Sequence, residues 1–582
     1  LVSFFWYTVA TMNIHDKIFL VRMRWVFYLA MPLVSLILIA NLFSIQVVHG
    51  SAFREEADNQ YVSASYNSFE RGDIYFQDKE GGLTTAAGQK RGYKLTIDPS
   101  KTTDPEFLYT EITSVVDIEQ TRDEFIALAS SSRTYAEIVG KLSSEESQLL
   151  KKKLGKKVQL WSDKWRVYPL NTVASHVIGL LAYKGDEYGG RYGLEREYES
   201  VLVRNNKDLY TNFFARIFHG VQDIVTTGSV LEGDIVTTIE PQVQIYLESM
   251  LSDIREKWSS ELVGGIIIDP KTGDIYALGA TPSFDPNDFS NSSTSFFRNP
   301  LVENVYEMGS VIKPLVIAQV WNEGDINEST RYNDTGSVVV GPHTIYNFDK
   351  KGRGQVDIQE ILSQSLNTGM VHIYKQGTRD DFRSYFQKYG LTEASGIDLP
   401  NDVTGITSNL KSNRDIEFAN MSFGQGIAMS PMTLTKALTA LANNGKTVTP
   451  KVVDHIKYPS GLSKKIDVKE GNQVLTEQTT EDISRMLVNA FDSYNNGKAG
   501  IPNYAIAAKT GTAQIPAPNG GYYTDRNLHS FFGYFPAYEP RFLVFLYTVH
   551  PKNVRYASQT LLEPFRDISQ YLINYYNIPP DR

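Results

Sequence analysis

Residues 306–315 read YEMGSVIKPL, with Ser310 and Lys313 three positions apart in mostly apolar company. On a helix that spacing puts the hydroxyl and the amine one turn apart on the same face. A free serine hydroxyl is a weak nucleophile and needs a base nearby. Lysine can be that base when burial or an adjacent positive charge destabilises its ammonium form. Proline is tolerated only in the first turn of a helix, so Pro314 predicts a helix starting at about Ser310. The hydroxyl then sits near the positive helix end, and Val311, Ile312 and Leu315 supply apolar surroundings that push Lys313 toward neutrality.

A lone Ser-x-x-Lys is weak evidence, because most such pairs are solvated bystanders. A second copy, Ser408 to Lys411, lies in the polar stretch ITSNLKSN and reads as surface. Two further clusters strengthen the first. SQSLNTGM contains Ser365 and Asn367, a second hydroxyl to relay a proton and an amide to grip a carbonyl. Ser65 with Asn67 and Ser493 with Asn495 match the same pattern. AAKTGTAQ supplies Lys509, Thr510, Gly511 and Thr512: one positive charge and two hydroxyls for a carboxylate, with a glycine where a ligand would approach the backbone. An identical Lys-Thr-Gly at 271–273 reads as a hairpin turn. What gives the set weight is its order, Ser-x-x-Lys on a helix, then Ser-x-Asn, then Lys-Thr-Gly on a strand.

These residues need a scaffold, and the chain from about residue 231 provides one. ELVGGIIIDPKTGDIYALGA reads as two buried strands around a turn. SPMTLTKALTALANNG opens on Ser-Pro and stops at Asn-Gly, as a capped helix should. YAIAAKTGTAQI, HSFFGYFPAY and RFLVFLYTVH are strands near the end. Strands at both ends with helices between them predict an α/β (α+β) sandwich built on an antiparallel sheet. Residues 49–230 are mixed. DEFIALASSSRTYAEIVGKLSSEESQLLKKKL reads as helical, GYKLTID and KVQLW as strands, and no catalytic residue types cluster there. That region is expected to be a pedestal or interaction domain.

The 582 residues are too many for one core. A net charge of −9 lacks the basic field that nucleic-acid binding requires. The absence of cysteine excludes disulfides, thiolate metal sites and a cysteine nucleophile. Residues 25–48 carry no charge, enough helix to cross a bilayer. Lys17, Arg22 and Arg24 precede this run, so residues 1–24 are expected in the cytoplasm and everything after the span outside. The run is longer than the apolar core of a signal peptide and has no small-residue cleavage site, which favours a retained anchor. The sequence begins with Leu, and Met12 is expected to be the native start.

The trio in this order resembles the motif set of penicillin-binding proteins and serine β-lactamases, with Ser-Leu-Asn as the middle element. RVYPLNTVASHVIGLL (166–181), GLEREYESVL (193–202), TPSFDPNDF (281–289) and SFGQGIAMSPMTLTKALTALANNG (422–445) resemble class B penicillin-binding proteins, the monofunctional peptidoglycan D,D-transpeptidases of division and elongation. The resemblance implies a transmembrane helix, a pedestal or dimerisation domain over 49–230 and a transpeptidase domain over 231–582. It implies that Ser310 attacks a D-Ala-D-Ala donor and becomes acylated, with Lys313 as base. Ser365 would pass the proton to the leaving amine and Asn367 would orient the donor. Lys509, Thr510 and Thr512 would bind the terminal carboxylate, and backbone N–H groups of Ser310 and Thr512 would form the oxyanion hole. It implies no metal or cofactor, inhibition by β-lactams, and membrane partners of cell-wall synthesis including a glycosyltransferase. Two positions depart from the family pattern. Met308 replaces a proline, and RGDIYFQDKEG carries two extra residues and Lys79 in place of arginine. A β-lactamase-like sensor and an inactive envelope scaffold are the competing readings. The anchor and large pedestal disfavour the first, and retention of all three motifs disfavours the second.

Overall fold

The computed structural model describes residues 70–185, 187–204, 232–290, 292–467, 470–497 and 499–582, with isolated positions 28, 33, 36 and 38. The expected membrane span at 25–48 and the Ser65–Asn67 match lie outside the described residues, those isolated positions aside. Among the described residues no helix is long and apolar enough to cross a membrane.

The site is carried by a five-stranded sheet in the spatial order Ala507–Pro516, Tyr522–Phe535, Phe542–Val549, Leu262–Ile268 and Ile275–Thr281. Every neighbouring pair is antiparallel, as the sequence predicts. Strand Phe542–Val549 shows why such a sheet needs cover on both sides. Phe542, Val544 and Leu546 enter one core cluster, and Leu543, Phe545 and Tyr547 enter the other. Alternate side chains point to opposite faces, so a strand apolar from 542 to 547 is buried twice.

One face packs against helices Pro241–Trp258 and Leu562–Tyr575 through Val243, Leu247, Leu251, Phe565, Ile568 and Leu572. The other receives helices inserted between the second and third sheet strands in sequence, among them Lys313–Asn322 and Pro431–Ala442. The latter begins as its sequence dictates. Ser430 Oγ accepts from the Thr433 N–H at 3.1 Å, and proline occupies the first turn, where no N–H is needed.

A second, seven-stranded sheet gathers Ile74–Gln77, Leu83–Ile97, Ala136–Leu142 and Gln159–Val167 with three strands from further along: Asp234–Thr237, Val453–Lys457 and Ser463–Lys465. Residues 123–154, read from sequence as helical, fall into helix, strand and helix: Arg122–Ala129, Ala136–Leu142 and Ser144–Leu154. The reason lies in the caps. Thr121 with Glu124 and Ser143 with Glu146 each form a reciprocal capping box, so two helices start here, not one. Between them Ala136, Ile138 and Leu142 are buried and the strand pairs with Leu83–Ile97. Lys79, the departure from the family arginine, donates to the Tyr575 carbonyl at 2.8 Å and lies 4.2 Å over its ring, tying this sheet to the C-terminal helix.

Candidate active site

Ser310 lies in the short 3₁₀ turn Gly309–Ile312, which runs directly into the helix Lys313–Asn322 with Pro314 in its first turn. The α-helix therefore starts three residues later than the sequence suggests, with the hydroxyl on the turn feeding it. Lys313 is fully buried. Its Nζ lies 2.7 Å from the Ser365 carbonyl, 2.9 Å from Asn367 Oδ1 and 3.1 Å from Ser365 Oγ. Burial, and then the neighbouring Lys509 charge, hold this amine well below the usual lysine range. A neutral amine has two N–H donors, which the two carbonyl-type oxygens occupy. Its lone pair is left for a hydroxyl proton. Among the described residues no hydrogen bond joins Ser310 Oγ to Lys313 Nζ; such contacts commonly tighten only when substrate binds.

Ser365 holds a left-handed backbone, φ 54°, which costs a non-glycine residue about 1–3 kcal/mol. That conformation accompanies a carbonyl and a hydroxyl of one residue that both reach the amine. Asn367 opens the helix Asn367–Tyr374, and its Nδ2 donates to the Tyr346 carbonyl at 3.1 Å. One of its two amide hydrogens is thus committed to the fold and one is left for a ligand.

Lys509, Thr510, Gly511 and Thr512 lie on Ala507–Pro516, the edge strand of the sheet. An edge strand leaves alternate backbone N–H groups unpaired and open to a substrate. Lys509 is fully buried, its Nζ 3.2 Å from the Thr510 carbonyl, so it acts on the cavity mainly through its charge. Thr510 and Thr512 are half-buried, and Thr512 Oγ1 accepts from the Ala557 N–H at 3.2 Å. Gly511 serves a different purpose from the one read in the sequence. A Cβ there would meet Ser530 Oγ at 2.3 Å, the Met308 carbonyl at 2.8 Å and Val311 Cγ1 at 3.0 Å. The space is taken by the serine turn, not reserved for a ligand. Met308 itself is buried, and its carbonyl accepts from Ser530 Oγ at 2.7 Å.

One cavity of about 1500 Å³ is lined by Ser310, Ser365, Asn367, Lys509, Thr510 and Thr512 together. Among the described residues, the serines and lysines of the look-alike motifs are outside its lining, although Tyr494, between Ser493 and Asn495, is part of it. Ser408 and Lys411 are exposed, Lys271–Gly273 is the turn between two sheet strands, and Ser493 Oγ bonds the Ala490 carbonyl within a helix.

Sequence reasoning missed the support behind these groups. Thr368 Oγ1 donates within 2.9 Å of both Asp334 Oδ1 and Asn347 Oδ1, and Asn347 Nδ2 lies 3.0 Å from each Asp334 carboxylate oxygen. This buried network fixes the start of the Asn367 helix against the Tyr346 segment. Gly424, in SFGQG, presses on the serine turn so closely that a Cβ would lie 2.1 Å from the Gly309 carbonyl. An invariant spacing of polar residues signals neither, because both contacts join segments distant in sequence.

A family model described as the penicillin-binding protein transpeptidase domain matches residues 263–570, more than half of the chain. The chain belongs to this family. A second model, the penicillin-binding protein dimerisation domain, matches residues 67–207. The pairing is that of the class B members. Stage V sporulation protein D of Bacillus subtilis is 26% identical over 94% of this chain and 84% of its own length. The peptidoglycan D,D-transpeptidase FtsI homolog of Mesostigma viride is 27% identical over 94% of each chain. The fold matches penicillin-binding protein 3 of Mycobacterium tuberculosis complexed with aztreonam, TM-score 0.67 at 21% identity, over 88% of this chain and 98% of that one.

Proposed function

We propose that this penicillin-binding protein is a serine D,D-transpeptidase that cross-links peptidoglycan stem peptides in septal or lateral wall synthesis, through an acyl-enzyme on Ser310. The observation that carries this reading is the buried Lys313 amine, with two acceptors to hold it and a lone pair left for a proton. Lys313 takes the Ser310 proton as Oγ attacks the carbonyl of the penultimate D-Ala. The oxyanion faces the backbone N–H groups of Ser310 and Thr512, whose edge strand is free to donate. The carbon–nitrogen bond breaks, and the departing D-Ala amine receives its proton from Lys313 by way of the Ser365 hydroxyl. Thr510, Thr512 and the Lys509 charge hold the terminal carboxylate. The amine of a second stem peptide then attacks the ester and frees Ser310; water in its place gives D,D-carboxypeptidase activity. β-Lactams acylate the same serine.

The domain scheme is a cytoplasmic segment (1–24), a membrane helix (25–48), a pedestal (49–230) and a transpeptidase domain (231–582), with a glycosyltransferase as membrane partner. Protease added to spheroplasts should digest the catalytic domain; full protection would refute this topology. Peptide mapping after labelling with fluorescent penicillin should place the adduct on Ser310. Label on any other serine would refute the assignment of the nucleophile.

A further inference from the structure

The catalytic cavity has a charge pattern that the acylation and transfer steps do not use. In a chain of net charge −9, its lining includes Lys509, Arg526, Lys552 and Arg555 against one carboxylate, Asp525. Lys509 belongs to the terminal-carboxylate site. Lys552 sits beside His550 and Glu261. Arg526 and Arg555 form no ion pair among the described residues. Arg526 is half-buried, its guanidinium lies 4.2 Å over the Tyr523 ring, and its Nε is buried with no hydrogen-bond partner. Asp525, the residue before it, is exposed and forms no ion pair with it among the described residues. The Arg555 segment is pinned from behind, where the Arg555 carbonyl lies 3.1 Å from Nε2 of the buried His529.

Register tells where along a substrate this charge falls. Thr512 pairs with His529, and Gln514 with Asn527, so Arg526 lies beyond Gln514 on the neighbouring strand. It directly follows the last regular pair at this end of the ladder, where the register shifts and Pro516 pairs with Tyr522. A donor peptide with its terminal carboxylate at Thr510 and its scissile carbonyl at Thr512 continues along the edge strand toward Gln514. On that course it passes the end of the neighbouring strand that carries Arg526, on the upstream side of the scissile bond.

We propose that Arg526, with Arg555 lining the same cavity, binds a second carboxylate of the donor stem peptide upstream of the scissile bond, and so selects acidic over amidated donors. This rests on the transpeptidase reading of the site. It predicts a specificity carried by the donor's internal acid, separate from recognition of its terminus.

The test uses two peptidyl penicillins whose acyl chain reproduces the upstream donor peptide, one with the free carboxylate and one with its carboxamide. Second-order acylation rates are measured on the full chain and on the Arg526→Gln and Arg526→Lys variants. The unmodified protein is expected to favour the carboxylate by about tenfold, as a charge-assisted hydrogen bond commonly does. Arg526→Gln should reduce that preference to less than about twofold, and Arg526→Lys should restore part of it. Equal rates for the two penicillins on the unmodified protein would overturn the proposal without need of any variant. A preference that survives Arg526→Gln would overturn the assignment to this residue. Failure of both penicillins to acylate Ser310 would instead overturn the transpeptidase reading.

Discussion

Replacing Gly511 by alanine tests how the serine turn is held against the sheet. The added methyl meets three groups at once: Ser530 Oγ at 2.3 Å, the Met308 carbonyl at 2.8 Å and Val311 Cγ1 at 3.0 Å. The hydroxyl can rotate away, but only by giving up its 2.7 Å bond to the Met308 carbonyl. The carbonyl belongs to the backbone of the turn that presents Ser310, so relieving its clash moves the nucleophile away from the edge strand. Overpacking of this kind costs about 1–3 kcal/mol. A shift of about 1 Å between a nucleophile and its oxyanion donors can cost about a hundredfold in rate. Gly511→Ala should therefore lower the melting temperature by several degrees and slow acylation by fluorescent penicillin by about a hundredfold. Adding Ser530→Ala removes the nearest clash but leaves the backbone one, so the double variant should recover stability more than rate. Acylation by Gly511→Ala within a factor of two of the unmodified protein would refute the argument that this glycine spaces the serine turn from the strand.

Lys313→Arg should reduce acylation by about 10²- to 10⁴-fold, because guanidinium does not give up its proton and cannot serve as base. Lys509→Arg keeps the charge and should be the milder change; thermal unfolding of both controls for folding, and near-normal acylation by Lys313→Arg would make that lysine structural. Burial pushes His176 and His529 down to about 4, from 6.5. Their unfolded forms then bind protons that the folded forms do not, so stability is full above 6.5 and falls as pH drops toward 4. Each histidine should cost about 2 kcal/mol between about pH 7 and about pH 5. Urea unfolding at the two values checks this, and an acid slope no smaller in His176→Gln than in the unmodified protein would refute it.

What the sequence made legible was local. Ser430-Pro431 announces a helix start because the cap hydroxyl and the N–H that donates to it lie three residues apart. The Phe542–Val549 strand announces itself because its residues are buried on both faces. The trio of motifs was legible through order and resemblance, and the described structure brings all three to one cavity. Residues 123–154 misled because two helices with good caps flank a short strand, and the helical signal on both sides overwhelms seven residues of alternation. The Asp334–Asn347–Thr368 network could not be read at all, since its members gain meaning only when separate segments meet. Lys79 read as a lost arginine until its carbonyl partner, Tyr575, appeared at the other end of the chain.

Two departures from local rules meet at the site. Ser365 takes a left-handed backbone conformation that costs a serine energy, and Lys313 buries an amine completely. Each lowers stability on its own, and each makes sense only beside the other. The strained Ser365 carbonyl and Asn367 Oδ1 give the buried amine two acceptors, which a neutral lysine can satisfy in full. An ammonium in the same place would gain one more donor and carry a full desolvation cost, with the Lys509 charge opposing it. The pocket therefore favours the neutral amine in the folded state, before any substrate arrives. The same burial that makes Lys313 a base also explains why a guanidinium, which stays charged, is the substitution this position should tolerate least in function.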